Sequence, residues 1–82
     1  MDQEILVYSS DSCGFCVKLR SWLDAHNIPY TNKDVNIPEI QEEFNKLNIR
    51  GIPVMLVTDK NTNETTRIIG FQPDTIKKAL RL

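Results

Sequence analysis

The sequence predicts an α/β domain with a mixed four-stranded sheet and helices on both faces. Two stretches carry most of that expectation. "EILVY" is a short apolar run that gives way at once to a helical pattern, and "PVMLV" is a second apolar run followed by a polar loop and a third run, "TTRIIG". Reading the segments between them gives the order β-α-β-α-β-β-α. The first β-α-β is expected to be parallel and right-handed, and the closing hairpin antiparallel.

"EILVY" precedes Ser9, Ser10 and Asp11 and reads as a buried strand. From about Gly14 to Asn27 the pattern is helical, with Leu19, Trp22, Leu23 and His26 on one stripe. Pro29 disfavours helical geometry just before it and ends the segment. "YTNKDVN" is a weaker strand. Asn36 reads as the cap of the next helix, with Glu39 as its capping-box partner and Pro38 in the tolerated first turn. Ile37, Ile40, Phe44 and Leu47 form that helix's apolar stripe. "PVMLV" and "TTRIIG" are joined by the polar "TDKNTNE". After Gly70-Phe71-Gln72-Pro73-Asp74, a last helix turns Ile76, Ala79 and Leu80 inward.

The chain has 82 residues, 40% hydrophobic and 26% charged, which suits one small domain over 1–82. Ten basic and eleven acidic residues nearly cancel, with no basic cluster. That gives no support to a nucleic-acid partner or to a polybasic membrane contact. No apolar run approaches membrane-spanning length, and the start lacks the basic region and long apolar core of a signal peptide. The expectation is a cytoplasmic monomer. In that compartment a close cysteine pair reads as redox or metal chemistry rather than a structural staple.

Cys13 and Cys16 are the two cysteines, with Gly14 and Phe15 between them. They fall where the first strand hands over to the first helix. A thiol there faces unpaired backbone N–H groups and the positive end of the helix dipole, and both favour the reactive thiolate. Cys16 lies one turn in, on the side of Leu19 and Leu23, and should be more shielded and less acidic. The i, i+3 spacing puts both sulfurs on one helix face within disulfide reach. Cys13 can then attack a target disulfide and Cys16 can resolve the mixed disulfide. Gly14 leaves the approach open, and Phe15 offers an apolar platform. Lys18 and Arg20 read as solvated charges that can add positive potential.

A mononuclear zinc site wants about four ligands. Here there are two Cys and one His, and His26 lies ten residues past Cys16, roughly 15 Å along the same helix. No metal site is expected. Gly51-Ile52-Pro53 opens a strand that otherwise looks central, an allowed place for proline. A cis Ile52–Pro53 bond would turn the Ile52 main chain outward to pair with an extended thiol substrate, though sequence does not choose the isomer.

With Cys-Gly-Phe-Cys, Ile-Pro and Gly-Phe-Gln-Pro-Asp in this order, the chain resembles the glutaredoxin family of the thioredoxin fold essentially end to end. The resemblance implies strand order 2-1-3-4, with the first and third helices on one face. It implies Cys13 as nucleophile, Cys16 as resolving thiol and Pro53 as a cis proline packed near them. By the same resemblance Gly14, Phe15, Ile52, Pro53, Gly70, Phe71 and Asp74 form the substrate-binding set. Glutaredoxins usually carry Cys-Pro-Tyr-Cys, a Lys where Ser10 stands, Thr-Val-Pro at 51–53 and Gly-Gly-x-Asp-Asp at 70–74. The last segment looks instead like the NrdH-type redoxins, which donate electrons to ribonucleotide reductase and are reduced by thioredoxin reductase. The expected activity is therefore a dithiol–disulfide oxidoreductase with no resident cofactor, acting on protein or mixed disulfides. Two alternatives stay open. One is a glutathione-dependent glutaredoxin, with glutathione as co-substrate. The other is a [2Fe–2S] carrier, since some glutaredoxins with Gly after the first Cys hold a cluster between two glutathione-ligated subunits.

Overall fold

The computed structural model describes residues 2–82. The elements run β1 (Gln3–Ser9), α1 (Gly14–Ala25), β2 (Thr31–Asp34), α2 (Pro38–Asn45), β3 (Val54–Asp59), β4 (Thr65–Ile69) and α3 (Pro73–Leu80). They form one four-stranded sheet in the order β2-β1-β3-β4. β1 pairs parallel to β2, while β1–β3 and β3–β4 are antiparallel. Both the element order and the thioredoxin-type strand order match the sequence expectation.

Strand alternation divides the sheet into two unequal faces. Ile5 and Val7 of β1, Met55 and Val57 of β3 and Ile68 of β4 face α1 and α3, and they form one cluster with Leu19, Leu23, Ile76 and Leu80. Burying a side chain of this size contributes about 1.5–3 kcal/mol, so this face carries most of the stability. Tyr8 points to the other face, where its ring meets Phe44 of α2 at 5.4 Å.

α2 corrects two expectations. The helix begins one residue later than its sequence suggested: Ile37 is the N-cap and no side chain caps it. Asn36 sits outside the helix and spends its amide elsewhere. The apolar stripe is also shallow. None of the helix is buried, Ile37 is exposed, and Ile40 and Phe44 are only half-buried. The reason is the sheet's own alternation: the cluster of Ile5, Val7, Met55, Val57 and Ile68 faces α1 and α3, and α2 meets Tyr8 on the opposite face instead. Polar contacts fasten it instead. The Tyr8 hydroxyl donates to Glu43 Oε2, which also accepts from Lys33 Nζ at 2.7 Å. Burial, then Glu43, pushes the Tyr8 phenol up to about 12. The Lys33 hydrogen bond, followed by that of Tyr8, lowers the Glu43 carboxyl.

α1 ends two residues before the expected Asn27. Asn27 takes a left-handed conformation (φ 55°), its N–H reaches Asp24 O, and the Ile28 N–H reaches Leu23 O at 3.0 Å. This is the paired bonding that satisfies the last carbonyls of a helix, and asparagine tolerates the positive φ. Leu23 and Ile28, which bracket the turn, both belong to the core.

Candidate active site

β1 delivers the chain to the N-terminus of α1 through Ser10, Asp11 and Ser12. Cys13 is the N-cap of α1, with extended backbone (φ −101°, ψ 115°). Its sulfur accepts the main-chain N–H of Cys16 at 3.2 Å, as a capping oxygen does in an ordinary helix. A thiolate in that position gains a charge-assisted bond and the favourable end of the helix dipole. Cys13 is half-buried; Cys16, one turn on, is fully buried. Burial, followed by the Cys13 hydrogen bond, pushes the Cys16 thiol up to about 11, with the Ser10 main chain and Arg20 pulling the other way. The two cysteines thus occupy different environments, one reachable and one shielded, in a single helical turn.

The Ile52–Pro53 bond is cis, and the Ile52 carbonyl lies 3.9 Å from the Cys13 sulfur. Gly51 precedes it at φ 137°, a conformation that disfavours any side chain. The Pro53 carbonyl accepts the Gly70 N–H at 2.8 Å, which ties the loop before β3 to the end of β4. Cys13, Cys16, Ile52, Pro53 and Gly70 are therefore brought together. Gly14 and Phe15 lie beside them. A Cβ added at Gly14 would meet nothing within 4 Å, and Phe15 is 61% exposed with Lys18 Nζ 5.3 Å from its ring centre. Gly14, Phe15 and Lys18 line a shallow depression of about 240 Å³.

Phe71 and Asp74 behave differently. Phe71 is half-buried and packs against the core, and Asp74 stands exposed in the first turn of α3. Another cleft, of about 320 Å³, lies at the other end of β1 among Gln3, Ile5, Tyr30 and Lys60, and neither cysteine lines it. Among the described residues, no three His, Cys, Asp or Glu side chains are grouped to hold a metal ion.

Sequence reasoning missed the polar frame behind the cysteines. Arg20 pairs with Asp11 at 2.8 Å across the loop, rather than standing in solvent. Ser10, 4% exposed, accepts the Cys13 N–H through its carbonyl at 3.1 Å, and its hydroxyl bonds to Ser12 and Asn36. The available signal was the run Ser9-Ser10-Asp11-Ser12 at the end of an apolar strand. Short hydroxyl and carboxyl side chains there serve turns.

The Glutaredoxin family model matches residues 5–61 of this chain. Among curated proteins, the global transcriptional regulator Spx 1 of Oceanobacillus iheyensis is 40% identical over 75 residues, covering 83% of this chain and 49% of that protein. Prostaglandin E synthase 2 of Danio rerio is 34% identical over 70 residues, covering 84% of this chain and 18% of that protein. The chain thus spans about half, or less, of the length of these relatives. Among solved structures, the NrdH-redoxin of Escherichia coli is similar with a TM-score of 0.74 at 22% identity, covering 92% of both chains. A glutaredoxin of Archaeoglobus fulgidus gives a TM-score of 0.77 at 16% identity, covering 96% of this chain and 87% of that one. At those identities the likeness is one of fold.

Proposed function

The chain belongs to the glutaredoxin family, and from that premise we propose that it is a small dithiol–disulfide oxidoreductase, an electron donor of the NrdH type. The observation that carries the proposal is the contrast between the half-buried Cys13 sulfur, which accepts the helix N–H, and the fully buried Cys16. The Cys13 thiolate attacks one sulfur of a target disulfide. The target S–S bond breaks, a mixed disulfide forms, and the first target thiolate leaves and takes up a proton. Cys16 then gives its proton to solvent and attacks the Cys13 sulfur, releasing the second target thiolate. The chain has given up two electrons and holds a Cys13–Cys16 disulfide. An external dithiol or thiol reductant restores it.

The preferred substrate is a protein disulfide, as in ribonucleotide reductase, and the preferred reductant is thioredoxin reductase. A charged tripeptide such as glutathione needs its carboxylates and amine matched. Where glutaredoxins use a lysine for one carboxylate, this chain has the buried Ser10, whose hydroxyl is already committed to Ser12 and Asn36. Asp74 remains exposed and can meet an amine. Each lost charge-assisted bond costs about 1.5–3 kcal/mol, so losing two weakens binding roughly a hundredfold or more. The deciding measurement is steady-state turnover with NADPH and thioredoxin reductase against glutathione and its reductase, at matched protein concentration. Faster turnover with thioredoxin reductase is expected. Efficient turnover by glutathione alone would instead make the protein a glutathione-dependent glutaredoxin.

A further inference from the structure

Four charged side chains stand on α1 and the loop that leads into it: Asp11, Lys18, Arg20 and Asp24. Arg20 and Asp11 pair at 2.8 Å, and Asp24 lies in the last turn, away from the cysteines. Lys18 is exposed and has no carboxylate partner among the described residues. Its ammonium sits over the Phe15 ring instead, 5.3 Å from the centre. A ring face holds a cation in place without cancelling its charge. A second cation of this kind, Arg50, is exposed and likewise unpaired among the described residues, and it stands just before Gly51 and the cis Ile52–Pro53 bond. The exposed Asp74 belongs to α3, and Gly14, Phe15 and Lys18 line their depression without it. The positive charge here is local, since the whole chain sums to −1.

This charge lies beside the reactive sulfur. Gly14 follows Cys13 directly, and Lys18 lies four positions further, on the same side of α1. The depression therefore starts next to Cys13 and ends one helical turn on, roughly 5 Å away. No Cβ obstructs it at Gly14, and Phe15, 61% exposed, gives it an apolar wall. A target disulfide attacked by Cys13 brings the residues that flank its own cysteine. In an extended segment each position advances roughly 3.3 Å, so side chains one or two positions from the attacked cysteine stand roughly 3–7 Å from it. That span matches the depression.

We infer that Lys18 is a specificity-determining residue, which selects protein disulfides carrying an acidic side chain one or two positions from the attacked cysteine. The inference rests on the oxidoreductase reading given above and names the substrate class of that same site. The acidic side chain meets the Lys18 ammonium, and the apolar part of the segment lies on Phe15. A basic side chain in the same place meets like charge, so discrimination comes from repulsion as well as attraction. The exposed aromatic surface of Phe15 is what suits a protein segment better than a small polar thiol.

The test mixes the reduced full chain with excess cyclic peptides that share one disulfide and carry Glu, Gln or Lys next to each cysteine. Acid quenching and mass spectrometry count the oxidised chain. Each initial rate is divided by the rate of the same peptide with dithiothreitol, which removes the effect of flanking charge on the disulfide itself. At low salt the Glu peptide is expected to react about twofold to fivefold faster than the Gln peptide, the worth of one exposed ion pair, and the Lys peptide more slowly than either. At 1 M salt, where the screening length is about 3 Å, the three rates should converge. In Lys18→Glu the ratio of Glu to Gln peptide should fall to one or below it, while Lys18→Arg should keep the wild-type order. A lesion of the fold would slow all three peptides alike and leave the ratio unmoved. Equal rates for the three peptides with the wild-type chain, or a wild-type ratio retained in Lys18→Glu, would overturn the inference and leave the redox reading intact. So would a Lys18→Glu chain that is slowed on glutathione disulfide but keeps its peptide ratio, since the cation would then serve the tripeptide. A wild-type chain that reduces none of the peptides would overturn both.

Discussion

The main-chain N–H of Cys16 points at the sulfur of Cys13, 3.2 Å away, while the Cys16 sulfur is sealed under α1. One residue thus stabilises its neighbour's charge through its backbone and keeps its own thiol in reserve. Cys13→Ser should abolish disulfide reduction. Cys16→Ser should still attack but accumulate the mixed disulfide, because only resolution is lost. Mass spectrometry of the protein after reaction with a disulfide peptide reads both outcomes. Accumulation in the Cys13 variant instead would reverse the assignment.

Burial of Cys16 has a consequence for alkaline stability. Its thiol is raised from the ordinary 9.0 to about 11 in the folded chain. A raised value means the stabilising contribution is complete below pH 9, where both states hold the proton, and is lost as pH rises towards 11. Above that range the folded state is disfavoured by about 2–3 kcal/mol relative to its value at neutral pH. Denaturant melts of the reduced chain between pH 8 and 11, compared with Cys16→Ala, isolate this effect from Tyr8. Identical pH slopes for the two proteins would disprove it.

α2 depends on polar fastening rather than on a core. Tyr8→Phe removes the hydroxyl that donates to Glu43, and Glu43→Gln removes the charge that Lys33 meets. Either change should speed hydrogen exchange of the α2 amides several-fold while the β1 and β3 amides stay protected. The Glu43 carboxyl is lowered in the folded chain, so its contribution is present above the ordinary value of 4.5 and fades as pH falls below it. Acid should therefore loosen α2 before the sheet. Uniform exchange across all elements at pH 4 would contradict this.

The other face should behave in the opposite way. Leu19 is fully buried on α1, within the cluster that joins α1 and α3 to the sheet. Leu19→Ala should cost about 2–5 kcal/mol, a large share of the stability of a chain this small. Ile40→Ala on the half-buried α2 should cost well under half of that. Equal losses would mean that the two faces carry similar packing energy.

Local patterns made much of this legible in the sequence. β1, β3 and β4 showed as apolar runs, and Cys13 and Cys16 showed by their spacing at a strand-to-helix junction. What escaped was decided at a distance. Asn36 has the neighbours of a helix cap, with Pro38 and Glu39 following, but Ser10 competes for its amide across 26 positions. No short window contains both partners. Ile40 and Phe44 sit at helical spacing, but spacing says nothing about how much surface stands opposite. Residue type alone does not fix the isomer of the Ile52–Pro53 bond; the cis form that the family resemblance implied is the one the structure has.

The only tryptophan, Trp22, is stacked on His26 with ring centres 4.0 Å apart, at the far end of α1 from the cysteines. Trp22 lies nine positions from Cys13 and six from Cys16, roughly 13 and 9 Å along the helix. A disulfide quenches an indole on contact, so closing the Cys13–Cys16 bond should leave the emission of this protein nearly unchanged. Redox state is then better followed by alkylation or by mass. In return, the indole gives an optical signal for unfolding that is the same in the reduced and oxidised chains, and the stabilities of the two can be read on one scale.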